Sequence, residues 1–234
     1  MMHTLARRLA AEFLGTLLLL SAVVGSGIMA DRLCGGSVGL ALLCNTLATG
    51  AALVALILTF GPVSGAHFNP AVTLADAVSG GFAWRHVPAY LVAQFTGAFA
   101  GVIAAHLMFG QPAFAISTHV RSGPSQLFSE FVATFGLLTV IWGCSRSRPT
   151  AVPFAVGTYI TAAYWFTAST SFANPAVTVA RAITNTFAGI RPADVAGFIA
   201  AQLAGAFAAT ALFGWLVPAS NRKQAVILEG PESA

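Results

Sequence analysis

Six stretches of this chain are each long and apolar enough to cross a lipid bilayer: residues 9–30, 39–60, 87–109, 127–144, 151–172 and 195–217. A helix needs about 20 apolar residues, rising about 1.5 Å each, to traverse the hydrocarbon. Within all six, the only formally charged residues are Glu12 and Glu130. Charged residues make up 8% of the 234 and hydrophobic ones 57%, whereas a soluble domain is about a quarter charged. That shortage excludes a soluble enzyme and a disordered chain. The first stretch follows Arg7 and Arg8 and has the outline of a signal peptide. Its length and the five stretches after it read instead as a retained helix. The expected class is an all-α membrane protein, with membrane lipid as its surroundings.

The basic residues give a net charge of +4 but form no stripe, so no nucleic-acid partner is expected. Cys34, Cys44 and Cys144 are too few and too irregular for a disulfide framework or a zinc site and are read as packing residues. Lys/Arg placement sets orientation. With the N-terminus cytoplasmic, inside segments hold Arg7, Arg8, Arg85, Arg146, Arg148, Arg222 and Lys223, and outside segments hold Arg32, Arg121, Arg181 and Arg191. The balance places both termini in the cytoplasm, for a multi-pass protein of the cell's inner membrane.

The sequence repeats itself. Ala-Glu-Phe-Leu-Gly-Thr at 11–16 is matched by Ser-Glu-Phe-Val-Ala-Thr at 129–134, and Ala-Gln-Phe-Thr-Gly-Ala-Phe-Ala at 93–100 by Ala-Gln-Leu-Ala-Gly-Ala-Phe-Ala at 201–208. Asn-Pro-Ala-Val-Thr occurs identically at 69–73 and 174–178. Chance similarity among Ala- and Gly-rich helices is a poor explanation for an identical pentapeptide at equivalent places. The reading is a duplication in one channel domain, 1–234, of two halves (about 1–115 and 120–234) joined by a polar linker around 111–125. Three spans per half force the second half to enter the membrane inverted, which places a functional site near the midplane between the halves.

Residues 69–79 and 174–184 are each about 16 Å long as helix, half the hydrocarbon thickness. Asn suits the N-cap and Pro the first helical position. Both segments read as re-entrant half-helices whose N-termini meet near the bilayer centre. The meeting dipole ends disfavour a cation there. Each Asn can cap with its oxygen and keep its NH₂ free to donate into a pore. Glu12 and Glu130 have two readings: acceptors bracing the loop N–H groups, or a proton relay or ion site. One acid per half favours bracing.

The run Ser64-Gly65-Ala66-His67-Phe68-Asn69-Pro70-Ala71-Val72-Thr73 closely resembles the signature of the aquaporins, or major intrinsic proteins. The second Asn174-Pro175-Ala176, the two Glu residues and the six spans agree. The resemblance implies an hourglass of six transmembrane helices and two half-helices. It also implies a homotetramer with one pore per subunit and passive conduction of water or small neutral solutes. His67 would line the cytoplasmic side of the pore; its plainer reading is a histidine packed in a loop.

One departure from the family stands out. Most members carry Arg three residues after the second Asn, whereas this chain has Val177. By family spacing, Thr49 and Ser171 would join Val177 in the selectivity filter. The span-five member falls at Ala162 in an ungapped register, or at Tyr164 if two residues are deleted. Such a filter is wider than a water-specific one, and the Arg-Asp of glycerol channels is missing too. Within the family, the resemblance is to the bacterial aquaporin-like channels found with arsenic-resistance genes, which implies neutral arsenous acid as solute. Arg181, four residues after Val177 and on the same helix face, reads either as a snorkelling anchor or as a displaced filter cation in the outer vestibule.

The expected function is thus a passive channel for small neutral solutes: water, glycerol-like polyols, arsenous acid or other arsenic species. The alternative is an ion- or proton-coupled secondary transporter with inverted repeats. The spans hold no nucleophile–base pair, metal-ligand cluster or cofactor motif, so no enzyme activity, metal or cofactor is expected.

Overall fold

The computed structural model describes residues 3–216; Val217, Arg222 and Lys223, used in the span and charge assignments, lie outside them. The described residues form eight α-helices: α1 (Leu5–Leu33), α2 (Val38–Ser64), α3 (Pro70–Val78), α4 (Val87–Met108), α5 (Pro124–Ser147), α6 (Val152–Phe166), α7 (Pro175–Ala180) and α8 (Pro192–Leu216). Short 3₁₀ turns occupy Trp84–His86, Pro149–Ala151 and Arg181–Ile183.

Side chains start the first two helices. Thr4 caps α1 by accepting from Arg7 N–H, and Ser37 caps α2 by accepting from Leu40 N–H. Both helices are apolar all round, so burial is decided by small and polar residues. On α1, Glu12, Gly15, Thr16, Leu19 and Val23 turn inward, while Leu14 and Leu18 are exposed. Leu43, Leu47, Phe128 and Trp165 are exposed as well, as an apolar belt facing lipid requires.

Glycines let the helices touch at the backbone. A Cβ on Gly97 of α4 would collide with the carbonyl oxygen of Phe13 on α1. One on Gly205 of α8 would collide with that of Phe131 on α5. The two contacts are counterparts in the repeat.

Among the described residues, five helices are long and apolar enough to span a membrane on their own. The fifth expected span, 151–172, is shorter than the sequence suggests. Its α-helix ends at Phe166, because the next residues form a loop with left-handed turns at Thr170 and Ser171. With the 3₁₀ turn at Pro149–Ala151, that segment still rises about 28 Å, close to a bilayer's hydrocarbon thickness. The cysteines are not core residues: Cys44 is exposed, and Cys34 and Cys144 are half-buried.

Candidate conduction pathway

The two Asn-Pro-Ala segments form short helices. The first covers nearly its expected length: Asn69 is the N-cap of α3 and Ser79 its C-cap. The second is shorter as α-helix, ending at Ala180 and tightening into the 3₁₀ turn from Arg181. Asn69 Oδ1 accepts from Ala71 N–H at 2.9 Å. Asn174 Oδ1 accepts from Ala176 N–H at 3.0 Å and Val177 N–H at 3.3 Å.

The sequence suggests that both NH₂ groups are free, but in the structure each is partly engaged. Asn69 Nδ2 donates to Ala173 O at 2.8 Å, and Asn174 Nδ2 donates to Phe68 O at 2.8 Å. Each amide spends one hydrogen tying its helix to the opposite loop. An amide nitrogen carries two, so a second remains on each.

The loops that precede the two Asn residues are held in a costly conformation. Ala66 (φ 50°), Phe68 (φ 49°), Ser171 (φ 49°) and Ala173 (φ 48°) are all left-handed without being glycine. Such residues cost about 1–3 kcal/mol each and persist only where their surroundings enforce them. The enforcing groups are Glu12 and Glu130, both fully buried. Glu12 accepts from Ser64 Oγ (2.7 Å) and His67 N–H (3.0 Å) on Oε1, and from Phe68 N–H (2.8 Å) and Gln94 Nε2 (2.8 Å) on Oε2. Glu130 accepts from Phe172 N–H (2.9 Å) on Oε1, and from Ala173 N–H (2.9 Å) and Gln202 Nε2 (2.6 Å) on Oε2.

Sequence reasoning noticed Gln94 and Gln202 only as markers of the repeat. Each also donates to a threonine in its half-helix: Gln94 to Thr73 Oγ1 at 2.9 Å, Gln202 to Thr178 Oγ1 at 2.8 Å. Those hydroxyls donate onward to Asn69 O and Asn174 O. The invariance of Thr between the two pentapeptides was the available signal.

A cavity of about 350 Å³ passes both Asn residues. At one end it is lined by His67, Asp76, Trp142 and Ser145; at the other by Thr49, Tyr164, Ser171, Val177 and Arg181. His67 Nδ1 sits 3.1 Å from Thr73 Oγ1, and Nε2 lies 3.5 Å from Asp76 Oδ2. Asp76 was not singled out in the sequence. It stands seven residues after Asn69, as Arg181 stands seven after Asn174, so the repeat puts opposite charges at equivalent places.

Of the two span-five candidates, Ala162 is excluded. It is exposed on the outer face of α6, whereas Tyr164 is 3% exposed and its hydroxyl is 3.4 Å from Thr49 Oγ1. Two residues on a helix are about 200° apart, so only one of the pair can face the cavity.

Arg181 does not snorkel. It is 2% exposed, donates from Nε to Ala188 O, and lays its guanidinium carbon 3.4 Å from the centroid of the Phe172 ring. A second cation, Arg121 of the α4–α5 loop, approaches the same ring at 5.0 Å. It donates to Gly189 O, Ser169 O and Thr170 Oγ1. Burial pushes Arg121 down to about 10, with Glu130 opposing, so it stays charged at neutral pH. Burial and these two cations lower His119 below its ordinary value, so it stays neutral there.

Apolar membrane-spanning helices around two Asn-capped half-helices define an integral membrane protein of the aquaporin fold. The family model described as major intrinsic protein matches residues 2–151 and 144–232, and the chain belongs to that family. It is 58% identical over 213 residues to aquaglyceroporin AqpS of Rhizobium meliloti (strain 1021), covering 91% of each chain. It is 35% identical to aquaporin NIP1-3 of Oryza sativa subsp. japonica, covering 87% of this chain and 72% of that one. The X-ray structure of the aquaglyceroporin from Plasmodium falciparum superposes with a TM-score of 0.70 at 22% identity. That match covers 92% of this chain and 98% of that one, and it supports the fold.

Proposed function

We propose that this protein is a passive channel for small uncharged solutes: water, glycerol-like polyols, and arsenous acid or related arsenic species. The observation that carries the reading is the cavity running past Asn69 and Asn174 to a mouth of Thr49, Tyr164, Ser171 and Val177. A neutral solute's oxygen accepts from the remaining N–H of each Asn as it passes. Two helix N-termini at that point disfavour a cation. Val177 in place of a guanidinium leaves the mouth wider than a water-only filter. The 58% identical relative, named an aquaglyceroporin, favours polyols among the solutes. The two halves act as inverted repeats of one domain, and the protein works as a homotetramer with one pathway per subunit. It lies in the cytoplasmic membrane with both termini inside.

The coupled-transporter reading needs an acid free to exchange a proton. Glu12 and Glu130 each hold three or more donors, which supports bracing instead. The test is flux into liposomes carrying the purified protein, over a panel of water, glycerol, urea and arsenous acid. The expected result is flux proportional to concentration and indifferent to a pH or sodium gradient. Saturable flux driven by either gradient would overturn the reading.

A further inference from the structure

We infer that Arg181, with Ser171 and Tyr164, forms a binding station for a singly charged oxyanion at one mouth of the cavity, an inference that rests on the channel reading. The first argument is the state of Arg181. A guanidinium carries five donors, and this one is nearly fully buried. Among the described residues, its Nε donates to Ala188 O and its Nη1 has no hydrogen-bond partner. A buried cation in this condition is costly unless a counter-charge meets it.

The second argument is that no carboxylate among the described residues is available. Glu130 is occupied by Phe172 N–H, Ala173 N–H and Gln202. Asp194 is occupied by Arg191 and by Arg121 N–H. The other nearby charge, Arg121, has the same sign and shares the Phe172 ring. Third, neutral hydroxyl groups line the same cavity: Ser171 Oγ is buried without a partner among the described residues, and the Tyr164 hydroxyl donates to Thr49 Oγ1 at a long 3.4 Å. All three residues line the cavity. A planar monoanion suits a guanidinium because it can accept two parallel N–H bonds. Asp76 holds the equivalent position at the opposite mouth and repels such an ion, so the station exists at one end only.

Nitrate is a suitable probe, being planar, singly charged and without a membrane-permeable acid form at neutral pH. In liposomes containing the protein, glycerol flux is measured as potassium nitrate replaces potassium gluconate at constant ionic strength. The expected result is saturable inhibition in the parent and none in Arg181→Gln. Nitrate should also raise the melting temperature of the parent in detergent, relative to gluconate, and leave that of Arg181→Gln unmoved. Should Arg181→Gln fail to fold, Ser171→Ala and Tyr164→Phe decide, each expected to weaken inhibition roughly five-fold through one lost hydrogen bond. Full glycerol flux with no nitrate effect overturns the station while sparing the channel. So does inhibition that persists in folded Arg181→Gln, or unchanged inhibition in both Ser171→Ala and Tyr164→Phe. Absence of glycerol flux in the parent counts against the channel, and the melting arm then still reads the station.

Discussion

Asn69 and Asn174 are crossed: each donates its side-chain amide to the carbonyl of the residue just before the other, Ala173 and Phe68. The same side chains cap α3 and α7 with their oxygens. One residue in each half therefore fixes its own helix start and the opposite loop together.

From that crossing we predict that Asn174→Asp folds but conducts poorly. Asp caps a helix as well as Asn does, so α7 still forms. The variant loses the bond to Phe68 O, sets an oxygen against a carbonyl oxygen and puts negative charge among the donors. Water permeability of the folded variant, measured by stopped-flow light scattering on liposomes, should drop about tenfold, or ~1.4 kcal/mol of barrier. Parent-like permeability would remove Asn174 from the pathway.

The Glu braces lead to a second prediction, for Glu130→Gln. Both Glu130 oxygens accept hydrogen bonds from N–H groups. An amide offers one accepting oxygen and turns an NH₂ toward the other donors. A buried donor left without an acceptor costs about 1–3 kcal/mol, and the left-handed residues Ser171 and Ala173 would lose what holds them. Thermal melting in detergent should move down clearly. An unshifted melt would show that the loop is held without this carboxylate.

The sequence made the half-helices, the paired acids and the capping Asn residues legible because local signals specify them. Asn-Pro at a helix start, and a lone acid in an apolar span, have few physical interpretations. What stayed hidden was rotation and partnership. Whether Ala162 or Tyr164 faces the cavity depends on where α6 ends, and an apolar-all-round helix gives no periodicity to read it from. Arg181 was readable as an anchor or a pore cation because its burial depends on the Phe172 ring and the Ala188 carbonyl. Asp76 was overlooked because a single acid near a helix end carries no signal until its mirror position, Arg181, is seen on the same cavity.

Helix contact gives a third prediction. A methyl group at Gly97 or Gly205 meets backbone carbonyls, those of Phe13 and Phe131, which cannot rotate away. Gly97→Ala and Gly205→Ala should each destabilise the protein by about 1–3 kcal/mol. Gly39, early in α2, has open space around its Cβ direction, and Gly39→Ala should be neutral or stabilising by up to ~1 kcal/mol. Melting temperatures of the three variants test the contrast. Equal behaviour of Gly39→Ala and Gly205→Ala would mean the α5–α8 backbones are not in contact.

The fourth prediction is Val177→Arg. Val177 is 5% exposed, lines the cavity beside Thr49 and Tyr164, and is fixed in position because its N–H donates to Asn174 Oδ1. An arginine there would project into space that valine leaves open, and its N–H groups would clamp passing oxygens at one point. Glycerol and larger arsenic acids should be excluded while water still passes. There is also a cost that the position alone does not reveal. Arg181 lies one turn further along the same face, and Glu130, the nearest buried acid, is already occupied. Two guanidinium groups would then share one narrow mouth, and the yield of folded protein should fall. Adding Arg181→Ala should restore yield to Val177→Arg by more than it changes the parent, a coupling that a double-mutant cycle isolates. A solute panel on both variants separates narrowing from repulsion. If Val177→Arg folds at parental yield and passes every solute as the parent does, Val177 is not part of the constriction.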